Sequence, residues 1–191
     1  MSATNQTCWH PKLGEHGEQL RIKTPTLPTS PETWDAPDAQ ATFVPVGSAP
    51  EAINHIRLRA ESLDEATLRR LAKANRFSEP EFDCPVGLKA AAGAVVVEPD
   101  GRVWLTHPTN QFAGYVRTFP KGTAESASHL RETAVRETFE ETGLLAELVG
   151  HLIDLKRSLS YTRFYLARRV GGRRWRWGGR PRRCPWHPLR P

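Results

Sequence analysis

The sequence predicts an α/β chain, and two observations carry that reading. The stretch from Ala134 to Thr142 holds no Gly or Pro and runs into Gly143, where a left-handed C-cap belongs, which predicts a helix of about three to four turns. Around it the apolar periodicity is that of strands, three before the helix between Leu88 and Gly122 and two after it between Ala146 and Arg168.

Residues 1 to 50 are rich in Pro, Thr, Ser and Ala and keep no period of 2 or 3.6, so they predict a flexible or polyproline-like leader. Within it, Phe43 to Val46 offers a short strand that Pro45 would confine to a sheet edge. Residues 51 to 87 form a helical segment and linker. Ser62 stands as N-cap with Glu65 three residues on, and Leu68, Leu71 and Ala72 make one stripe. That stripe is expected to pack on the main domain or on a partner subunit in a homodimer. Phe77 to Gly87, with Pro80 and Pro85, ends the helix and reads as a linker.

From Lys89 to Glu98 the chain is a strand rich in small residues, Pro99 to Arg102 a turn, and Val103 to His107 the returning strand. A loop from Pro108 to Gly114 leads into a third strand, Tyr115 to Phe119, which delivers the chain to Gly122. There a glycine backbone can approach a phosphate or turn a carbonyl toward a metal. After the helix, Ala146 to Lys156 and Tyr161 to Arg168 are the last two strands.

The helix carries the chemistry. Glu137, Glu140 and Glu141 stand at i, i+3 and i+4, so three carboxylates fall within roughly a 100° arc and repel one another. A hard divalent cation, Mg²⁺ or Mn²⁺, between their oxygens would relieve that repulsion. Arg136 lies beside the array and Lys121 precedes the glycine turn, and both can reach phosphate oxygens or brace the glutamates. An amphipathic surface helix with an acidic face is the plain alternative.

Gly122, Arg136, Glu137, Glu140, Glu141, Gly143 and Leu144, with the Phe119 to Gly122 entry FPKG, fall in register with G-x5-E-x7-R-E-U-x-E-E-x-G-U, U being aliphatic. The chain resembles the Nudix hydrolases in that signature. The resemblance covers about Leu88 to Arg168 and implies an α/β/α sandwich around a mixed sheet, incomplete at its C-terminus. It implies Mg²⁺- or Mn²⁺-dependent cleavage of the pyrophosphate of a nucleoside diphosphate linked to another moiety. Glu140 and Glu141 would be metal ligands, Glu137 a ligand or the general base, Arg136 the orienting partner, and the backbone carbonyl near Lys121 and Gly122 a further ligand. Two positions depart from the pattern, Ser128 for the first signature glutamate and Thr138 for the aliphatic residue. Ser128 weakens the implied binding of further metals and the activity; a catalytically inactive module binding nucleotide or RNA is the competing expectation.

Residues 169 to 191 are rich in Arg, Trp, Gly and Pro, with Leu189 their one aliphatic residue beyond Val170, and predict a disordered tail rather than a core strand or covering helix. A sheet face left open would follow. The tail reads either as a frameshift product or as an Arg/Trp arm contacting RNA. Nine of the 27 basic residues lie from Ala167 onward without an acid, so residues 1 to 166 hold 18 bases against 21 acids, a net of −3. The +6 of the whole chain is thus a property of its end, and the body shows no nucleic-acid or anionic-membrane character.

No apolar run approaches the roughly 18 residues of a membrane span, and no basic-then-apolar leader opens the chain, which points to the cytoplasm. Cys8, Cys84 and Cys184 are odd in number and far apart, and read as reduced thiols. A zinc site of Cys8, His10, Cys184 and His187 has the wrong spacing. His107, His129 and His151 are isolated, and Phe112 and Tyr115 read as packing residues that could stack on a base.

Overall fold

The computed structural model describes residues 9–13, 19–21, 29, 51–59, 62–106, 117–126, 129–172 and 187–189. Expectations placed on Phe43 to Val46, His107, Phe112, Tyr115, Ser128, Cys8 and Cys184 lie outside them.

Strands β1 (Trp9–Leu13) and β2 (Gln19–Arg21) pair antiparallel, so the stretch expected to be a leader without regular structure contains a small hairpin. Trp and Leu at its ends favour strands, which the Pro-rich composition of the whole stretch obscured. Strands β3 (Ala52–Ile53) and β4 (Ile56–Arg57) form a second hairpin, with Asn54 and His55 both at positive φ in its turn, as a tight two-residue turn requires.

Helix α1 spans Glu65–Lys73. Its N-cap is Asp64, whose side chain accepts a hydrogen bond from the Thr67 amide at 2.7 Å, and not Ser62. Asp matches the cap geometry as well as Ser does, and it stands directly before the first helical residue. Leu68, Leu71 and Ala72 are buried as their stripe predicted. The following segment, Phe77 to Gly87, has no helix or strand, yet it is more than a linker. Phe77 packs against Tyr165 with ring centroids 6.1 Å apart, and Phe82 against Tyr161 at 5.2 Å.

The main sheet runs β10-β6-β5-β9-β8, with β7 also on β5. Its members are β5 (Lys89–Val97), β6 (Val103–Leu105), β7 (Lys121–Thr123), β8 (Leu144–Lys156), β9 (Ser160–Gly172) and β10 (His187–Leu189). Strands β5 and β9 are parallel while every other pair is antiparallel, so the sheet is mixed. Helix α2 (Leu130–Thr142) enters between β7 and β8 and packs on β5 and β8, with α1 against α2 and β8. Ala92, Ala94, Val96, Leu148, Tyr165 and Ala167 turn one sheet face toward Val135 and Ala134 of α2 and Leu68 and Leu71 of α1. On the other face, Ile153 pairs with Phe164 and Leu155 with Thr162; Ile153 is 44% and Leu155 39% exposed.

Three boundaries differ from the sequence reading. The third strand is Lys121–Thr123, and of the stretch expected there Thr118 makes one isolated bridge, to Thr106. Helix α2 begins four residues before Ala134, because Leu130 to Thr133 also lacks Gly and Pro. Strand β9 continues four residues past Arg168, and β10 pairs antiparallel with β6, so residues 169–172 and 187–189 belong to the sheet and not to a separate tail. The reason at Arg169 is electrostatic and lies in its partner, Glu98, 71 residues away.

Candidate active site

Helix α2 ends as the sequence predicts: Gly143 is left-handed at φ 70°, and its amide bonds the Phe139 carbonyl at 2.6 Å. That stop fixes the last helical turns above β7. Glu141 is buried, and one of its carboxylate oxygens accepts from the Lys121 amide at 3.3 Å. Glu137, one turn earlier, lies so close over Gly122 that a Cβ there would fall within its carboxylate. Two of the three expected carboxylates therefore meet the same two residues of backbone.

Glu140 and Arg136 are half-buried on the same helix, and among the described residues neither side chain makes a hydrogen bond or ion pair. A helix presents i and i+4 on nearly one azimuth, whereas i+3 leans to the opposite side of i, and this separates Glu140 from the pair. The Lys121 side chain is half-buried. Carboxylate oxygens held against a glycine backbone are the donor type that Mg²⁺ or Mn²⁺ takes, so the chemistry of the site fits a hard divalent cation. Its assembly is partial: among the described residues no group of three His, Cys, Asp or Glu side chains is placed to hold a metal ion.

Lys121 and Gly122 lie in the extended strand β7 and not in the turn expected there, and that strand is seated from the other side by β5. Gly93 pairs with Lys121 and Ala92 with Gly122, and the Ala94 amide bonds the Pro120 carbonyl at 3.2 Å. The sequence reading passed over Gly93 as one small residue among several. Glycine inside a strand signals a close approach of another backbone, and that signal was available.

A cavity of about 340 Å³ lies elsewhere, between α1, the N-terminal turn of α2, β9 and the Phe77 to Gly87 segment. Three of its charged lining residues, Glu79, Arg131 and Arg163, are already paired. Glu79 accepts from Arg131 at 2.6 Å, from Arg163 at 3.1 Å and from the Tyr165 hydroxyl at 2.8 Å, and Arg163 also forks onto Asp154 at 2.7 and 2.8 Å. Burial acts to raise the Glu79 and Asp154 carboxyls, but hydrogen bonds outweigh it, from Tyr165 and Arg131 at Glu79 and from Arg163 and His151 at Asp154. Both stay below the ordinary carboxylate range. Burial and the neighbouring Glu79 push the Tyr165 hydroxyl well above the usual phenol range. Such a saturated network braces the domain. His151 belongs to it through Asp154 at 3.3 Å, and His129 sits at the N-cap of α2 against the Ser126 hydroxyl at 2.7 Å.

The NUDIX domain family matches the chain over residues 87–177. Among curated proteins, the RNA pyrophosphohydrolase of Caulobacter vibrioides (strain NA1000 / CB15N) is 42% identical over 59 residues, which are 30% of this chain and 34% of that protein. The chain thus spans a minor part of the curated relative it matches. Among solved structures, a NUDIX hydrolase from Nitrosomonas europaea is 22% identical with a TM-score of 0.38, covering 44% of this chain and 49% of that one. An ADP-ribose pyrophosphatase from Streptococcus suis is 18% identical with a TM-score of 0.41, covering 51% and 72%. Residues 87–177 thus match the NUDIX domain family, the family that the signature residues resembled.

Proposed function

We propose that this chain hydrolyses the pyrophosphate bond of a nucleoside diphosphate linked to another moiety, with Mg²⁺ or Mn²⁺ bound at Glu137 and Glu141. The observation that carries the proposal is the convergence of those two carboxylates on the Lys121 and Gly122 backbone. A bound cation there would neutralise charge on the pyrophosphate oxygens and acidify the attacking water. Glu137, against the Gly122 backbone, is the group to take the proton from that water. Lys121 and Arg136 supply the positive charge that binds the phosphate oxygens. Glu140, on the same helix, completes the ligand set once its rotamer turns toward the pair.

Purified protein is to be incubated with Mg²⁺ and a panel of ADP-ribose, dinucleoside polyphosphates, nucleoside triphosphates and RNA carrying a 5′ pyrophosphate, the last because the Caulobacter relative bears that activity in its name. Loss of a partner outside the ligand shell costs metal sites roughly 10–100-fold, so Glu141→Gln is expected to lower turnover by more than about 100-fold. Turnover unchanged by that substitution overturns the site. The Arg- and Trp-rich residues from 173 on would add affinity for RNA, readable as a steep fall of binding with salt.

A second reading has its own support in Ser128, which replaces a signature glutamate, and in the two carboxylates gathered where three were expected. In that reading the chain binds the nucleotide without cleaving it. Calorimetric binding of nucleotide in the absence of Mg²⁺, with no phosphate released in its presence, would favour it.

A further inference from the structure

We infer that Gly93, in the middle of strand β5, is a positioning residue for this site: its missing side chain sets the depth at which Lys121 and Gly122 of β7 sit against the carboxylates of α2. The inference rests on the proposed reading of those carboxylates and adds to it a residue outside the family signature.

A Cβ placed on Gly93 would stand 2.6 Å from Lys121 Cβ and 2.9 Å from Phe164 Cε1, and in hard contact with the Pro120 carbonyl oxygen. Real Cβ atoms do not approach so closely, so something must move. The Pro120 oxygen is backbone, held by the Ala94 amide at 3.2 Å, and cannot swing aside as a long side chain would. Strand β7 itself must shift. On its far side Lys121 donates its amide to Glu141 at 3.3 Å, near the outer limit of an N–H···O bond, and Gly122 lies under the Glu137 carboxylate. Strand β7 is thus clamped between β5 and α2, and the displacement forced at Gly93 passes to both glutamates. Gly150, also within a strand of this sheet, has nothing within 4 Å of a Cβ, whereas Gly122 and Gly172 are closely approached as Gly93 is, so the tightness belongs to particular positions in these strands.

Calorimetric titration of Mn²⁺ tests this directly, alongside kcat and KM on whichever pyrophosphate substrate is turned over. The wild-type chain and Gly150→Ala are expected to bind Mn²⁺ alike. Gly93→Ala is expected to bind roughly 10–100-fold more weakly, with kcat falling more than KM rises, as when a ligand's support is disturbed. Leu71→Ala, a core truncation on the other helix, controls for lost stability: it lowers Tm and leaves Mn²⁺ affinity alone. If Gly93→Ala unfolds the chain, Gly93→Ala/Phe164→Leu gives the new methyl room on one side while keeping its clash with Pro120 and Lys121, and carries the same expectation. Mn²⁺ binding by either Gly93 variant at wild-type affinity overturns the inference. Failure of the wild-type chain to bind Mn²⁺ at all overturns the carboxylate reading beneath it, a result distinct from the first.

Discussion

At residue 138 the signature asks for an aliphatic side chain and the chain supplies threonine, fully buried, with a hydroxyl that has no hydrogen-bond partner among the described residues. Thr142, one turn on, spends its own hydroxyl on the Thr138 carbonyl and leaves the Thr138 hydroxyl without help. A buried unpaired hydroxyl costs about 1–3 kcal/mol, and Val keeps the shape, so Thr138→Val is expected to stabilise the chain by about 1 kcal/mol in urea unfolding. Gly122 works in the opposite sense. A methyl there takes the space of the Glu137 carboxylate, so Gly122→Ala is expected to cut turnover by roughly 10–100-fold while the helix stays folded by circular dichroism. That Glu137 and Glu141 share one helix face was legible from spacing alone, because i and i+4 on a helix lie together whatever surrounds them, whereas Gly122 came from the signature. The unpaired Thr138 hydroxyl and the tightness at Gly93 were not legible, since both depend on atoms brought in from other elements.

The helix ends illustrate what a sequence does and does not say about an element. Gly143 could be placed as the C-cap because its φ of 70° suits glycine above other residues, and Gly143→Ala is expected to cost about 1–2 kcal/mol. The N-cap of α1 fell on Asp64 rather than Ser62, since both residues offer a cap and only the backbone decides between them. The segment from Phe77 to Gly87 was misread for a different reason: prolines excluded regular structure there but said nothing about packing. Glu79 within it accepts from Arg131, Arg163 and Tyr165, and Asp154 from Arg163 and His151. Both carboxyls titrate lower in the folded chain than their ordinary values of 4.5 and 3.8, so their contribution is whole above those values and lost as pH falls through the folded ones. Stability is therefore expected to be flat from neutral pH down to about 5 and to fall steeply below about 4, with Asp154→Asn flattening the acid limb. A scan of Tm against pH reads this out; an acid limb unchanged in Asp154→Asn would remove the assignment.

From Lys89 to Arg168 the element order was legible, because strand and helix periods change sharply at Gly122 and Gly143, whereas the hairpins before it and the end of the sheet were not. Arg169 counted in the sequence only as surplus positive charge. In the structure it is fully buried, forks onto Glu98 at 2.5 and 2.9 Å, and bonds the Ile53 carbonyl at 2.6 Å and the Ile56 carbonyl at 3.2 Å. Glu98 also accepts from the Trp104 indole at 2.6 Å and from Asn54 at 2.9 Å. One ion pair thereby joins β9, the β5–β6 hairpin and the β3–β4 hairpin, three parts of the chain remote from one another in sequence. Removing one partner strands the other charge without water, at a cost of about 3–5 kcal/mol, so Glu98→Ala and Arg169→Ala are each expected to unfold much of the population at 37 °C. Removing both charges together leaves no stranded ion. The double variant Glu98→Ala/Arg169→Ala is therefore expected to lose less stability than the two single alanine losses summed, a non-additivity of at least about 1 kcal/mol in a double-mutant cycle by urea unfolding. If the two losses simply add, the pair acts as independent surface charges would, and residues 169–172 are not held in the sheet by the bond that the fold assigns them.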